Sequence, residues 1–288
     1  MTLVLVHGGV SGVDKAMPGL QDAIRAGATQ SNALDAAEEA VRSLEDHPEL
    51  NAGYGAVLNR AGEVELDAAI VDGARGRWGG VANVRFRNPV SLARMVMERT
   101  PHVLLAGTGA QEAGVAFGLE EMNESSPEQH ERWARERDAG RLGLESYGRS
   151  EHVDTVGVVV LDEASRLCAA SSTGGVLGKL PGRVGDSPIL GAGTYASSGA
   201  AVVGTGIGEL FLETLACLRA ARLIEEGLDP QAACERTVSL LGERQQVAAG
   251  LLALDTDGRV GAAFRGGSWS VWGPEGPIGA VCLGPARD

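Results

Sequence analysis

Aromatic residues make up only 4% of this 288-residue chain, against 42 glycines, so its core has to be assembled from Ala, Val, Leu and Ile with many turns and close backbone approaches. Basic residues are short too. The 25 Lys and Arg against 38 Asp and Glu leave a formal net charge of -13, and no local cluster of cations offers phosphates a footprint, which argues against nucleic acid as a partner. No uninterrupted apolar run approaches the roughly 20 residues of a membrane span, and MTLVLVHGGVSG lacks the basic start and apolar length of a signal peptide. A soluble cytoplasmic protein is expected. Cys168, Cys217, Cys234 and Cys282 are widely spaced in apolar surroundings without a CxxC pair, and read as buried free thiols. The histidines are equally scattered: His7 closes a strand, and His47, His102, His130 and His152 fall at turns or in a charged stretch, so no metal site is visible in the side chains and no cofactor is expected.

What is present is a hydrophobic share of 44%, enough for a substantial core, arranged in strand and helix periods. TLVLVH reads as a buried strand ending in an HGG turn. From Ser31 to about Leu44, Ala33, Leu34, Ala37, Ala40, Val41 and Leu44 recur at helical intervals, with Ser31 or Asn32 placed to cap the first turn. GAVLNRAGEVELDAAIVDG predicts a hairpin around NRAGE, its second strand alternating Val64, Leu66, Ala68 and Ile70 against Glu65 and Asp67. SLARMVMERT behind Asn88-Pro89 predicts a helix, and LLAGTGAQEAGVAFG a strand turning into another.

Residues 119 to 152 are dense in charge and read as a mobile tether, with an exposed helix around Glu128 to Asp138 as the alternative for part of them. In RSEHVDTVGVVVLD that charged run gives way, at Asp154 and Thr155, to an almost continuous apolar strand. TVGVVVLD and RLCAASS then form a hairpin, AAVVG runs through GTGIG into one long helix, ELFLETLACLRAARLIEEG, and a further helix starts behind Asp229-Pro230. GLLALDTDGRVGAAF is a hairpin turning on Asp257-Gly258.

The glycine cluster of VVGTGIGELF sits between a strand and a helix, the context of a dinucleotide-binding fingerprint. Glu209 stands where the third glycine belongs, however, and would turn a carboxylate toward a pyrophosphate. A nucleotide-dependent oxidoreductase is disfavoured, and a plain turn into a helix is the simpler reading. The string STGGVLGKLPGRVGDSPILGAGTYA, residues 172 to 196, sets Thr173, Arg183 and Asp186 among glycines. Arg183 and Asp186 can satisfy each other as an ion pair or grip the opposite charges of an amino acid, and the spacing leaves both open.

Taken in order, DTVGVVVLD, STGG, GRVGDSPILGAGTYA and GTGIGE resemble the isoaspartyl peptidase and plant-type L-asparaginase family of N-terminal nucleophile hydrolases. LVHGG, LNAGYGAVLNRAGEVELDAAIVDG and NPVSLARMVMERTPHVLLAGTGA resemble the family's N-terminal half. The resemblance implies an α+β fold, the four-layer αββα sandwich, in a single domain of residues 1–288. It further implies self-cleavage between Asp154 and Thr155 into an α chain, 1–154, that ends in the tether 119–154, and a β chain, 155–288. Neither chain is expected to fold alone, each supplying strands to both sheets, and two αβ units are expected to form a dimer.

The implied activity is release of L-aspartate from β-aspartyl dipeptides, L-asparagine or both. A hydroxyl is a poor nucleophile at its ordinary pKa, whereas a chain-terminal threonine carries its own base, the α-amine of pKa about 8. By matched motif, Thr155 is the nucleophile and Thr173 tunes it; Arg183 and Asp186 hold the substrate's α-carboxylate and α-ammonium; Thr205 Oγ and the Gly206 N–H form the oxyanion hole; and Asn51 supports the site. Main-chain carbonyls near Leu50, Asn51 and Tyr54 are where a structural sodium ion is implied. Two departures stand out: Asp154 before the threonine is similar to glycosylasparaginases, which keeps that activity as an alternative, and Ile207 replaces a polar residue, which predicts a more apolar pocket rim. A non-catalytic amino-acid-binding homologue is the further alternative.

Overall fold

The computed structural model describes residues 2–9, 17–142, 154–244 and 248–284. Strand β1 (Leu3–His7) is followed by helices α1 (Met17–Ala28) and α2 (Ala33–Glu45), strands β2 (Leu66–Asp72) and β3 (Arg77–Val84), helix α3 (Pro89–Arg99), strand β4 (Leu104–Ala106) and helices α4 (Gly107–Ala116) and α5 (Pro127–Asp138). Beyond Thr155 come β5 (Val156–Leu161), β6 (Leu167–Thr173), β7 (Thr194–Ala196), β8 (Ala200–Gly206), α6 (Gly208–Thr214), α7 (Ala216–Glu225) and α8 (Pro230–Arg244). The final strands are β9 (Ala249–Asp255), β10 (Val260–Arg265), β11 (Val271–Gly273), β12 (Gly276–Ile278) and β13 (Val281–Cys282).

Apolar runs without a polar face require cover on both sides, and the strands receive it. β5 directs Val156, Val158 and Val160 to the core shared with α1, α2 and α3, and Val159 to a second core shared with Val203 and Leu252 of the opposing sheet. β9 does the same in reverse, with Leu251 and Ala253 against α7 and α8 and Leu252 and Leu254 between the sheets. Full burial of each such Val or Leu contributes about 1.5–3 kcal/mol. Four layers result, helices, an eight-stranded sheet in the order β12-β11-β1-β5-β6-β2-β3-β4, a five-stranded sheet in the order β13-β10-β9-β8-β7, and helices again. This is the expected αββα sandwich.

Several local expectations change. Residues 56–59 form no strand; the NRAGE turn closes through Asn59 N–H to the Glu63 carbonyl at 2.9 Å, and β2 instead forms its hairpin with β3. Both faces of β2 are buried, Asp67 included. The long helix after GTGIG breaks at Leu215, whose φ of 49° is left-handed. That break re-aims α7 so that Cys217 and Leu218 N–H donate to the carbonyls of Ala192 and Gly191 at 3.2 and 2.9 Å. Among the described residues the strands before Thr155 all lie in the eight-stranded sheet, so the upstream part of the chain does not supply strands to both sheets. Cys282 is exposed in the edge strand β13, unlike the three buried thiols. In the charged stretch, α5 packs through Trp133, whose Nε1 donates to the Asn59 carbonyl at 2.8 Å; the expectation for 143–153, His152 among them, lies outside the described residues.

Candidate active site

Antiparallel pairing sets the centre of the site. The register that joins Val156 to Ser172 brings Thr155, the residue before β5, beside Thr173 at the end of β6, and the register of β2 with β6 places Asp67 opposite the same Thr173. Thr155 is buried, and its Oγ1 donates to Thr173 Oγ1 at 3.3 Å. Thr173 Oγ1 accepts the Gly175 N–H at 2.9 Å and donates at 3.0 Å to the carbonyl of Asp154. That carbonyl takes a second donor, Asn51 Nδ2, at 2.9 Å. Asn51 is itself fixed by donation to the Gly175 carbonyl at 2.7 Å and acceptance of the Val57 N–H at 2.9 Å. The carbonyl of the peptide between Asp154 and Thr155 therefore has two side-chain donors, with the Thr155 hydroxyl at the next atom along the network. Gly9, with φ of 105°, lies against the Asp154 side chain, and a Cβ there would stand 2.2 Å from Asp154 Oδ1, so only glycine fits.

The charged groups of GRVGD occupy a buried frame. Asp186 is pushed up to about 6 by burial, with the Arg183 guanidinium acting in the opposite direction. Arg183 forms its ion pair with Glu209 at the start of α6, through Nε and Nη2 at 3.0 Å each. Beneath the loop, the fully buried Lys179 donates Nζ to the Glu65 carbonyl at 2.8 Å, and burial holds its ammonium below the usual lysine range. The Glu65 carboxylate accepts the Gly182 N–H at 3.0 Å. Asp67 accepts the Gly185 N–H at 3.0 Å and the Asn83 N–H at 2.9 Å. The latter bond satisfies a donor that the ladder loses at a register shift in β2.

The asparaginase family model matches residues 4–272. The chain belongs to that family. It is 39% identical to the isoaspartyl peptidase of Salmonella typhimurium, over 95% of this chain and 96% of that protein. It is 37% identical to the plant-type L-asparaginase of Pyrococcus abyssi, over 91% and 93%. The isoaspartyl peptidase/L-asparaginase of Homo sapiens is likewise 37% identical, over 89% of this chain and 87% of its own length.

For this member of the asparaginase family, the remaining residues named from sequence fall on the second sheet and on the loop after α2. Thr205 and Gly206 end β8; Thr205 Oγ1 is buried with no hydrogen-bond partner among the described residues, and Gly206 has φ of 145° with the Ala248 carbonyl 2.6 Å from where a Cβ would stand. Ile207 is buried, 6% exposed, so it does not form an open rim. In the loop, the Tyr54 carbonyl already accepts from Ser126 N–H and Ser125 Oγ, and the Asn51 carbonyl from Gly174 N–H. The Leu50 and His47 carbonyls likewise accept the Ala52 and Leu50 N–H groups at 2.8 and 3.3 Å, and with the Pro48 carbonyl they crowd Gly55, within 2.2–2.7 Å of the place a Cβ would occupy. Burial pushes the His7 imidazole, which lies over Gly157, down to about 3.

Lys179, Glu65, Asp67 and Glu209 escape a reading by spacing. Glu65 and Asp67 look like the solvent face of an amphipathic strand, and Lys179 like a loop lysine; the available signal was a charge between glycines and apolar runs, where no solvent-exposed face is needed.

Proposed function

We propose that this protein is a self-processing amidohydrolase that releases L-aspartate from β-aspartyl dipeptides, L-asparagine or both, with Thr155 as nucleophile. The observation that carries the reading is the Asp154 carbonyl held by Asn51 Nδ2 and Thr173 Oγ1 at 2.9 and 3.0 Å beside the Thr155 hydroxyl. In the first reaction Thr155 Oγ attacks the Asp154 carbonyl carbon, and the charge that develops on its oxygen meets both donors. Breaking the C–N bond frees the Thr155 amine, which takes up the proton lost from Oγ and leaves an ester. Water hydrolyses that ester, giving the Asp154 carboxylate and an N-terminal Thr155.

In turnover, the Thr155 amine accepts the proton as Oγ attacks the side-chain amide of the aspartyl unit. Ammonia or an amino acid leaves, and water releases aspartate from the acyl-enzyme. Thr205 Oγ1, buried without a partner among the described residues, and the Gly206 N–H supply the oxyanion donors. Arg183 and Asp186 bind the α-carboxylate and α-ammonium. No organic cofactor takes part. Carbonyl oxygens suit a hard cation, and a structural sodium ion would be held by main-chain carbonyls of the loop around Leu50, Asn51 and Tyr54, where those of Leu50 and Asn51 each have a second lone pair beyond the hydrogen bond they already accept.

Two processed units are proposed to associate. Val103 just before β4, Leu104 on β4 and Val115 on α4, 49%, 37% and 51% exposed, offer a second copy an apolar face at the sheet edge. Light scattering on the purified protein tests this by its mass. No helix among the described residues is long and apolar enough to cross a membrane.

Intact mass and N-terminal sequencing test the central reading. Two fragments are expected, the second starting at Thr155, with turnover of L-asparagine or β-aspartyl-leucine. Thr155→Ala is expected to remain in one piece and inactive; cleavage of that variant at the same bond would refute the role of Thr155. Asp154 keeps glycosylasparaginase activity as a second reading, which turnover of an N-glycosylated asparagine in preference to both other substrates would establish.

A further inference from the structure

Arg183 is held in a slot made by missing side chains. A Cβ at Gly185 would stand 2.8 Å from Nη1, one at Gly208 would stand 2.6 Å from Nη2, and one at Gly175 would stand 3.3 Å from Nη1. Side chains at Gly185 and Gly208 would displace the guanidinium from this position, and one at Gly175 would press on it. Glu209 takes the Nε and Nη2 edge with both carboxylate oxygens, a planar two-bond arrangement that fixes rotation as well as position. The Nη1 end consequently stands against Gly175, two residues from Thr173. Lys179 Nζ approaches the same point, 3.0 Å from that Gly175 position. Two cations around one glycine repel each other, and the two-bond grip of Glu209 holds the arginine against that repulsion.

We propose that Glu209 is a positioning residue for substrate recognition, holding Arg183 so that its Nη1 end meets the substrate's α-carboxylate; this rests on the hydrolase reading given above. Glu209 acts through Arg183 and does not touch the reacting atoms. The Glu209 side chain is 43% exposed, against 12% for Arg183, so a glutamine of the same shape in its place stays solvated and can still accept a hydrogen bond from the guanidinium. Loss of the carboxylate should therefore appear in substrate affinity and leave the fold and the Asp154–Thr155 chemistry intact.

The test compares wild type, Glu209→Gln and Glu209→Asp. KM for L-asparagine or β-aspartyl-leucine, and the Kd of the product L-aspartate by calorimetry, are expected to rise together about tenfold in Glu209→Gln. kcat and the extent of self-cleavage should stay within twofold of wild type, and Glu209→Asp should recover part of the loss. An unchanged Kd for L-aspartate in Glu209→Gln would overturn the proposal, as would a fall in kcat at constant KM or slowed self-cleavage. If wild type itself turns over neither substrate, the hydrolase reading fails; the calorimetric comparison still decides whether Glu209 sets the affinity for an α-amino acid.

Discussion

The two ends of the sheets handle buried charge in opposite ways. At the end away from Thr155, Asp162 closes the β5–β6 turn by accepting the Ala164 and Arg166 N–H groups and the Arg166 guanidinium, all within four residues. Asp255 repeats the pattern at the β9–β10 turn with Asp257 and Arg259. At the Thr155 end the partners are remote: Asn51 reaches Asp154 across 103 residues, Lys179 reaches Glu65 across 114 and Gly185 reaches Asp67 across 118. A local network shapes a turn that its own sequence already favours. A remote network fixes how separate elements stand relative to one another, which is what a reaction geometry needs.

The largest effect should come from cutting the remote network at its most enclosed point. Asp67→Ala leaves the Gly185 and Asn83 N–H groups without their acceptor and removes a carboxylate facing the buried Lys179. Breaking a buried ionic arrangement by deleting one partner costs about 3–5 kcal/mol. A lowered denaturation midpoint, with loss of turnover, is the expected result; wild-type stability would show that the loop is held by other contacts. Next is Asn51→Ala, which removes one of the two side-chain donors on the Asp154 carbonyl. Loss of one donor of that kind slows a reaction by about 10²–10³. Time-resolved gels should show self-cleavage slowed to that extent, and cleavage at the wild-type rate would remove Asn51 from the first step.

The same contrast explains what the sequence could disclose. Turns such as Asp257-Gly258 and the Asn32 cap of α2, which accepts the Asp35 N–H at 3.0 Å, are short-range and follow from residue type. Thr155, Thr173, Arg183, Asp186, Thr205 and Gly206 became visible as candidates through motif order, because no spacing rule relates groups brought together by strand register. Glu65 and Asp67 were misread for a physical reason. Alternation identifies a solvent face only when solvent is there, and β2 is buried on both sides. The break at Leu215 was equally hidden, since it goes with a pair of bonds to Gly191 and Ala192, remote in sequence, and the stretch around it holds no glycine or proline to announce it.

An intermediate effect should depend on pH. Burial raises Asp186 from 3.8 to about 6, so the folded state favours its protonated form more than the unfolded chain does. Ionised Asp186 therefore opposes folding fully above about pH 6, and that opposition disappears as pH falls toward 4. Asp186→Asn should stabilise the protein by on the order of 3 kcal/mol at pH 8 and by almost nothing at pH 4, while losing turnover. In the wild type, kcat/KM should decline as pH drops through about 6 and Asp186 ceases to hold an ammonium. Equal stabilisation at both pH values would show that packing, not charge, governs this position.

The smallest effect should fall on the local network. Arg259→Ala removes a guanidinium that is 54% exposed, yet Asp255 keeps the main-chain N–H groups of Asp257 and Arg259 at 3.0 and 2.9 Å. An exposed ion pair contributes about 0–1 kcal/mol, so the denaturation midpoint should move little and kinetics should stay at wild-type values. Arg166→Ala tests the twin turn in the other sheet, with Asp162 still bonded to Ala164 and Arg166 N–H at 2.9 and 3.0 Å. One difference sharpens that comparison: Asp162 also accepts the Ala33 N–H at 3.1 Å at the start of α2, whereas the side-chain bonds of Asp255 among the described residues stay within its own turn. If Arg166→Ala proves the costlier of the two, the excess measures what a single remote contact adds to an otherwise local network.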